Sequence, residues 1–322
     1  MSTLKLLDGK LRLPVICSPM FIVSYPALVA AQCKAGVVGS FPALNARDEG
    51  DLDRWLTGLK AELAQFQAEN PDKRVAPFAV NQIVNPSNTR LQRDLEICMR
   101  HQVPMTITSM RAPNEVVQEI HRYGGTIIHD VINFRHAMKA LESGVDGLIL
   151  VANGAGGHAG RINPIALVTE IRRHYDGPLA LSGTISTGSG ILAAQAMGAD
   201  YAYMGTRFIA TREANASPEY KQGILDGSAA DVVYTDFFSG VHANYLRPSI
   251  VAAGLDPDHL ARPDDAHARK LAYKPRAKAW KDVWGVGQGI GAISDIPDVA
   301  SLVDRLEAEY RAGKERLLRL AC

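Results

Sequence analysis

A glycine-rich loop with a single histidine holds the residue types in this chain that could most directly do chemistry. The segment 153–160 reads NGAGGHAG and directly follows the apolar run 147–151. Glycine lets a flat ligand approach the main chain closely, and an imidazole titrates near neutral pH. We therefore predict a reaction centre at this loop, with His158 as the catalytic residue.

The elements that must position this loop alternate along the chain. Apolar or β-branched runs predict eight strands, at 14–20, 37–41, 75–82, 105–109, 126–131, 147–151, 179–182 and 202–205. Amphipathic segments predict helices between them, at 26–35, 51–69, 89–101, 113–123, 134–143, 164–174 and 189–197. Strands that are apolar on both faces and separated by helices indicate a parallel sheet. Eight such units predict an α/β fold, a (β/α)8 TIM barrel, because an open doubly wound sheet usually has fewer strands and a glycine-rich first turn.

The alternation stops after residue 213. Residues 214–275 are mostly polar and are punctuated by proline and glycine, which predicts a small, mainly helical second domain that serves as a substrate lid. The barrel would then comprise 1–213 and 276–322, with the amphipathic segment 299–318 as its last helix.

The composition excludes several classes of partner. The formal net charge is +1 and no block of Lys and Arg stands out, so we expect neither nucleic acid nor a membrane as a partner. No apolar run approaches the roughly 18 residues that span a bilayer. The four cysteines have neither metal-ligand spacing nor the density of a disulfide framework, which favours a reducing, cytoplasmic location and no bound metal. A small-molecule substrate fits this composition better.

Ligands of such barrels bind where the strands end. Small-residue turns follow the last two predicted strands, at Ser182-Gly183-Thr184 and at Gly205-Thr206. Their main-chain N–H groups, together with the N-terminus of the helix near residues 188–190, predict a phosphate site.

Four segments resemble the nitronate monooxygenase family, formerly called 2-nitropropane dioxygenases. They are AGGHAG at 155–160, LSGTISTG at 181–188, GADYAYMGTRFIATREA at 198–214 and AWKDVWGVGQGIGAI at 279–293. The resemblance extends over nearly the whole chain. It implies a TIM barrel with a small second domain, non-covalently bound FMN, and one histidine, here His158, beside the isoalloxazine ring.

The resemblance also implies which residues would surround FMN. They are Ser18, Pro19 and Met20 against the ring, Asn81 reaching the flavin, Ala152, Gly156 and Gly157 along the ribityl chain and ring edge, Ser182, Gly183, Thr184, Gly205 and Thr206 at the phosphate, and Trp284 and Gln288 over the cofactor.

Asp130 is the departure from the family pattern with the clearest chemical consequence. Relatives commonly have His-Lys where this chain has His129-Asp130 at the end of the fifth strand. A lysine near the flavin would stabilise the anionic reduced ring, whereas an unpaired carboxylate at this cofactor-facing position would do the opposite. The departure leaves the enzyme subclass open.

The activity that the resemblance implies is the oxidation of alkyl nitronates, or their parent nitroalkanes, with O2. His158 would hold the anionic nitro group or remove an α-proton, in a pocket formed by Phe21, Met110, Phe237 and Phe238. Two alternatives stay open: an NAD(P)H-dependent quinone or enoyl reductase on the same FMN barrel, and a non-catalytic flavin-binding protein. A homodimer is a further expectation.

Overall fold

The predicted strands all form in the protein, whose computed structural model describes residues 3–260 and 279–320. The strands are β1 (Val15–Cys17), β2 (Gly39–Pro42), β3 (Phe78–Val84), β4 (Met105–Met110), β5 (Thr126–Val131), β6 (Gly147–Val151), β7 (Gly157–His158), β8 (Leu179–Ser182), β9 (Tyr201–Met204), β10 (Val232–Thr235) and β11 (Ala243–Leu246).

The seven helices predicted between the strands also lie close to their predicted positions. The helices of the described residues are α1 (Pro26–Lys34), α2 (Asp51–Glu69), α3 (Leu91–Arg100), α4 (Asn114–Arg122), α5 (Phe134–Glu142), α6 (Pro164–Arg172), α7 (Gly188–Met197), α8 (Thr206–Ile209), α9 (Pro218–Asp226), α10 (Arg247–Ala252) and α11 (Val299–Leu320). Side-chain caps explain several of the starts: Asn133 accepts from the His136 N–H and Asn163 from the Ile165 N–H, each at 2.9 Å.

Eight parallel strands form one sheet in the order β1-β9-β8-β6-β5-β4-β3-β2. A parallel bridge between Ile16 and Val38 connects its two edge strands, so the sheet curls into a nearly closed ring. Helices follow the strands and cover the outside. The predicted TIM-like α/β barrel is therefore confirmed.

The barrel strands are apolar on both faces because each face meets a different core. On β6, Leu148 and Leu150 pack in the large cluster shared with the helices, whereas Ile149 packs with Ile16 and Ile128 in a separate, smaller cluster. Successive side chains of a strand point to opposite faces, so the second set fills the barrel interior. Side chains of the interior set that lie at the strand ends face whatever binds at the rim.

The segment after the eighth barrel strand differs from the prediction of a mainly helical insertion. Its described part, 214–260, contains α9 and α10 but also β10 and β11, which pair antiparallel, and β11 pairs in turn with β7. Both missed strands are only four residues long, and polar and glycine residues flank them. Residues 261–275 of the predicted domain lie outside the described residues, and the division into two domains stays a prediction.

None of the helices in the described parts of the chain is both long and apolar enough to cross a membrane.

Candidate active site

A cavity of about 730 Å³ opens where the barrel strands end, and it collects most of the predicted site residues. The predicted residues that line it are Ser18, Pro19, Met20, Asn81, Asp130, Gly156, Gly157, His158, Ser182, Gly183, Thr184, Gly205 and Thr206. These residues come from the ends of β1, β3, β5, β8 and β9 and from the loop after β6. Parallel strands that end at one rim thus bring together residues that are far apart in the chain.

Three predicted residues lie behind the cavity wall. Ala152 is fully buried, and its N–H donates to the Ser182 carbonyl at 3.0 Å. Trp284 stacks on Tyr220, with ring centroids 5.0 Å apart, and Tyr220 is the residue that faces the cavity. Gln288 holds the loop after β6 from outside, since its N–H donates to the Gly154 carbonyl at 2.9 Å.

His158 projects from a strand rather than from a free loop. It pairs with Ala243 of β11, and its Nε2 lies 3.0 Å from the Ser239 Oγ. Because the Ser239 hydroxyl donates to the Val241 carbonyl at 2.9 Å, we assign the ring proton to Nε2, which leaves Nδ1 unprotonated.

The ring of His158 lies at the cavity and contacts Trp280 on one side. The indole of Trp280 meets it edge to face, with ring centroids 5.1 Å apart and an interplanar angle of 88°. Burial lowers the pKa of His158 below its ordinary value, so the imidazole is neutral at and above neutral pH. A neutral imidazole with a free nitrogen can act as a base.

Asp130 sits at the end of β5 in a hydrogen-bonded chain. The Asn81 side-chain amide donates to the Ser109 Oγ at 2.8 Å, and the Ser109 hydroxyl and the Met110 N–H both hydrogen-bond to the Asp130 carboxyl. Burial raises the pKa of Asp130 to about 6, and these two hydrogen bonds oppose the rise. Met110 has a left-handed backbone, with φ +84°, an unusual conformation for a non-glycine residue.

The turn after β8 forms a cradle of main-chain amides. Gly183 and Thr184 have φ of +134° and +62°, and within the described residues the N–H groups of residues 184–186 donate to no protein acceptor. Consecutive unpaired amides in such a turn form an anion-binding concavity. The Thr206 Oγ1 accepts from the Gly287 N–H at 2.9 Å, which ties the turn after β9 to the Gly-Gln-Gly segment at 287–289.

The N-terminus of α7 does not take part in this cradle, contrary to the sequence prediction. The Gly188 N–H donates to the Glu309 Oε2 of α11 at 2.7 Å, and the Gly190 N–H donates to the Thr187 Oγ1 at 3.1 Å. A carboxylate from the C-terminal helix already occupies the position that a phosphate would need there.

Several cavity residues were not predicted as site residues from the sequence. Trp280, Tyr203 and Tyr220 line the cavity, and Ser239 orients His158. The position of Tyr203, two residues before the Gly205 turn, was the one usable signal, because alternate residues of a strand share a face.

Two of the four residues expected in the substrate pocket lie in the cavity lining. Phe21 and Met110 line the cavity. Phe237 and Phe238 do not, and Phe238 packs instead on Tyr245 in a separate small core. No cluster of His, Cys, Asp and Glu suited to a metal ion occurs within the described residues.

Comparisons with known proteins agree with this geometry. The family model for nitronate monooxygenase matches residues 5–309. A nitronate monooxygenase from Paraburkholderia phytofirmans is 26% identical over 355 residues, which cover 96% of this chain and 95% of that protein. A hydroxy-methyl-oxo-octahydro-indene-carboxyl-CoA dehydrogenase from Rhodococcus jostii is also 26% identical, over 92% of each chain. The solved structure of FabK from Thermotoga maritima has a TM-score of 0.80 at 26% identity and covers 98% of this chain and 97% of its own.

Proposed function

Because the chain belongs to the nitronate monooxygenase family and is an oxidoreductase, we propose that it binds FMN and oxidises alkyl nitronates, or their parent nitroalkanes, with O2. The observation that carries the proposal is one cavity that joins an amide cradle at the ends of β8 and β9 to a neutral imidazole at β7. A phosphorylated planar cofactor and a small carbon acid fit these two ends.

The residues of the rim suit FMN. The free amides of residues 184–186 would hold its phosphate, and Gly289 packs closely on this turn, since a Cβ added there would lie 2.9 Å from the Thr184 carbonyl oxygen. Ser18, Pro19 and Met20, at the end of β1 beside β9, would lie against the ring. When bound, FMN supplies two-electron redox chemistry that amino-acid side chains lack.

His158 would act on the substrate as a base. With Nε2 bonded to Ser239, the free Nδ1 can accept an α-proton from a nitroalkane. Trp280 and the β7–β11 pairing hold the ring in place while it does so. A nitronate has already lost that proton, so its oxidation needs this base less.

An anaerobic titration of the FMN-loaded protein tests the proposal. Ethyl nitronate is expected to bleach the flavin absorbance completely, NADH is expected to leave it unchanged over the same period, and air is expected to restore it. A flavin that NADH bleaches and nitronate does not would contradict the proposal. A protein that takes up no FMN would contradict the cofactor assignment.

A second candidate is the NAD(P)H-dependent quinone or enoyl reductase. The apolar mouth of the cavity favours it, because Phe21, Met110, Ile132 and Val241 are each at least 37% exposed there and could receive a larger apolar substrate. The Rhodococcus relative, named for a carboxyl-CoA substrate, is consistent with this candidate. The same titration separates the two, since only a reductase is bleached by NADH. A flavin inert to both reductants would favour the non-catalytic alternative.

A further inference from the structure

Among the described residues, the lining of the cavity carries no fixed positive charge. Within the described residues, its ionisable lining groups are Asp130, His136, His158, Tyr203 and Tyr220, and neither Lys nor Arg is among them. Among these described residues, an anionic nitronate meets hydrogen-bond donors but no lysine or arginine. Asp130 is the only carboxyl group of that described lining.

The carboxyl group of Asp130 is built into the rim without a cation. The groups that hydrogen-bond to it are the Ser109 hydroxyl and the Met110 N–H, both from β4, and none of the described Lys, Arg or His side chains forms an ion pair with it. The Ser109 Oγ already accepts from Asn81, so the Ser109 proton is the one directed at Asp130. Such a half-buried, unpaired carboxyl favours its neutral form, and as a neutral acid it has a proton to donate.

Asp130 and His158 lie on adjoining segments of the rim. The loop after β5 meets the loop after β7, since a Cβ added to Gly160 would come 3.1 Å from the Ile132 carbonyl oxygen. Asp130 precedes Ile132 by two residues, and His158 precedes Gly160 by two residues. Both side chains also line the same cavity, so a substrate bound there is shared by the two segments.

We propose that Asp130 is a second substrate-contacting group: as a neutral carboxylic acid, it donates a hydrogen bond to the nitro or nitronate oxygen atoms. This inference rests on the proposed function. With a nitroalkane, the α-proton passes to His158, the C–H electron pair forms the C=N bond, and the N=O electrons move to the oxygen that Asp130 contacts. With a nitronate, the same contact stabilises a charge already present. The group then serves the substrate rather than the cofactor.

Other titratable groups surround Asp130. Burial raises the pKa of Tyr203 on β9 and lowers the pKa of His129 on β5 to about 4, so both are neutral near pH 7. His136 of α5 and His158 of β7 line the same cavity, and Arg111, which follows β4, is exposed. The test must therefore distinguish the ionisation of Asp130 from that of the two histidines.

Binding of nitrate, an unreactive planar anion, to the FMN-loaded protein tests the proposal without turnover. A carboxyl with a pKa of about 6 is protonated below that pH and ionised above it. Nitrate affinity is therefore expected to fall about 100-fold between pH 5 and pH 8, with about one proton taken up per nitrate bound at pH 8. Calorimetry in buffers of different ionisation enthalpy measures both quantities.

Matched variants assign the effect to a residue. Asp130→Asn is expected to bind nitrate with little pH dependence and no proton uptake, because the amide donates at every pH. Ser109→Ala removes a hydrogen bond that stabilises the carboxylate, so the midpoint should move to higher pH by about 0.5–1 unit. In His158→Asn, nitrate affinity should still fall with pH almost as much as in the wild type. Asp176→Asn, in the exposed loop before β8 and away from the cavity lining, is the control and should match the wild type.

The proposal is overturned if Asp130→Asn loses nitrate affinity with pH as steeply as the wild type, because the histidines would then account for the effect. It is also overturned if nitrate does not bind, or if Asp130→Asn mainly weakens FMN binding, which would make Asp130 a cofactor contact. Failure of the proposed function has a different signature: nitrate binding that depends on Asp130, in a protein that ethyl nitronate does not bleach.

Discussion

At the scale of single residues, the neighbours of His158 set its tautomer and its pKa. Ser239 sets the tautomer, Trp280 encloses the ring, and the resulting burial lowers the pKa. The remaining histidines that lie on the surface lack this combination. His259, for example, is 83% exposed in its side chain and pairs with Asp256.

Replacing His158 with Asn is expected to lower kcat/KM for nitroethane by roughly 10²-fold or more, because the base is lost. The effect on ethyl nitronate should be much smaller, since that substrate needs no proton removed. Stopped-flow reduction of the bound flavin by each substrate measures both. His259→Asn should behave as the wild type. Equal losses for the two substrates would show that His158 does not act as the base.

The pH dependence of the nitroethane reaction should follow the neutral imidazole. Because the pKa of His158 is lowered from its ordinary value, the acid limb of kcat/KM should appear only when the pH drops below that lowered pKa, whereas ionisation of Asp130, with its pKa of about 6, should lower kcat/KM on the alkaline side. A pH profile of flavin reduction with nitroethane measures both limbs. An acid limb that persists unchanged in His158→Asn would assign it to another group.

At the scale of elements, the backbone conformation of the turn after β8 forms the proposed phosphate cradle. Gly183 adopts φ +134°, where a side chain is strained, and a Cβ there would lie 2.8 Å from the Asn153 carbonyl oxygen. The next three residues line the cavity, and their N–H groups have no acceptor among the described residues.

Gly183→Ala is expected to weaken FMN binding at least tenfold, because the turn must shift to relieve the clash. Fluorescence quenching on titration with FMN measures the change. Gly254→Ala is the matched control, since Gly254 also has a positive φ, +78°, but has open space around it. The control should lose about 1 kcal/mol of stability without a change in FMN affinity. Unchanged FMN affinity in Gly183→Ala would remove this turn from the cofactor site.

At the scale of the whole molecule, the last helix packs against the barrel through a buried apolar face and a close contact with α7. α11 lies so close to α7 that a Cβ on Gly188 would overlap the main chain of α11. Glu309 accepts the Gly188 N–H, and Arg12, before β1, pairs with Asp304 and Glu307 of the same helix. The two ends of the barrel sequence thus meet.

Replacing Glu309 with Ala is expected to lower the free energy of unfolding by about 1–2 kcal/mol, because the Gly188 N–H loses a charged acceptor at a helix N-terminus. FMN affinity should stay within twofold, since this amide lies outside the cavity. Urea denaturation and FMN titration measure the two effects. Glu315→Ala, exposed on the same helix, should change neither. A large loss of FMN affinity in Glu309→Ala would indicate that the α7 N-terminus is part of the phosphate site.

The sequence by itself determined the barrel and most of the rim. Strand and helix positions follow from local periodicity, and parallel strands of a closed ring must end together, so the 182–184 and 205–206 turns and His158 had to approach one another. The tertiary structure alone decided which groups partner them. The β10–β11 pair that supports His158, the Ser109 and Met110 bonds to Asp130, and the Glu309 contact with Gly188 all join residues with weak local signals. Such contacts depend on how distant segments pack, and strands of four residues or single carboxylates are too short to carry a periodicity from which that packing could be predicted.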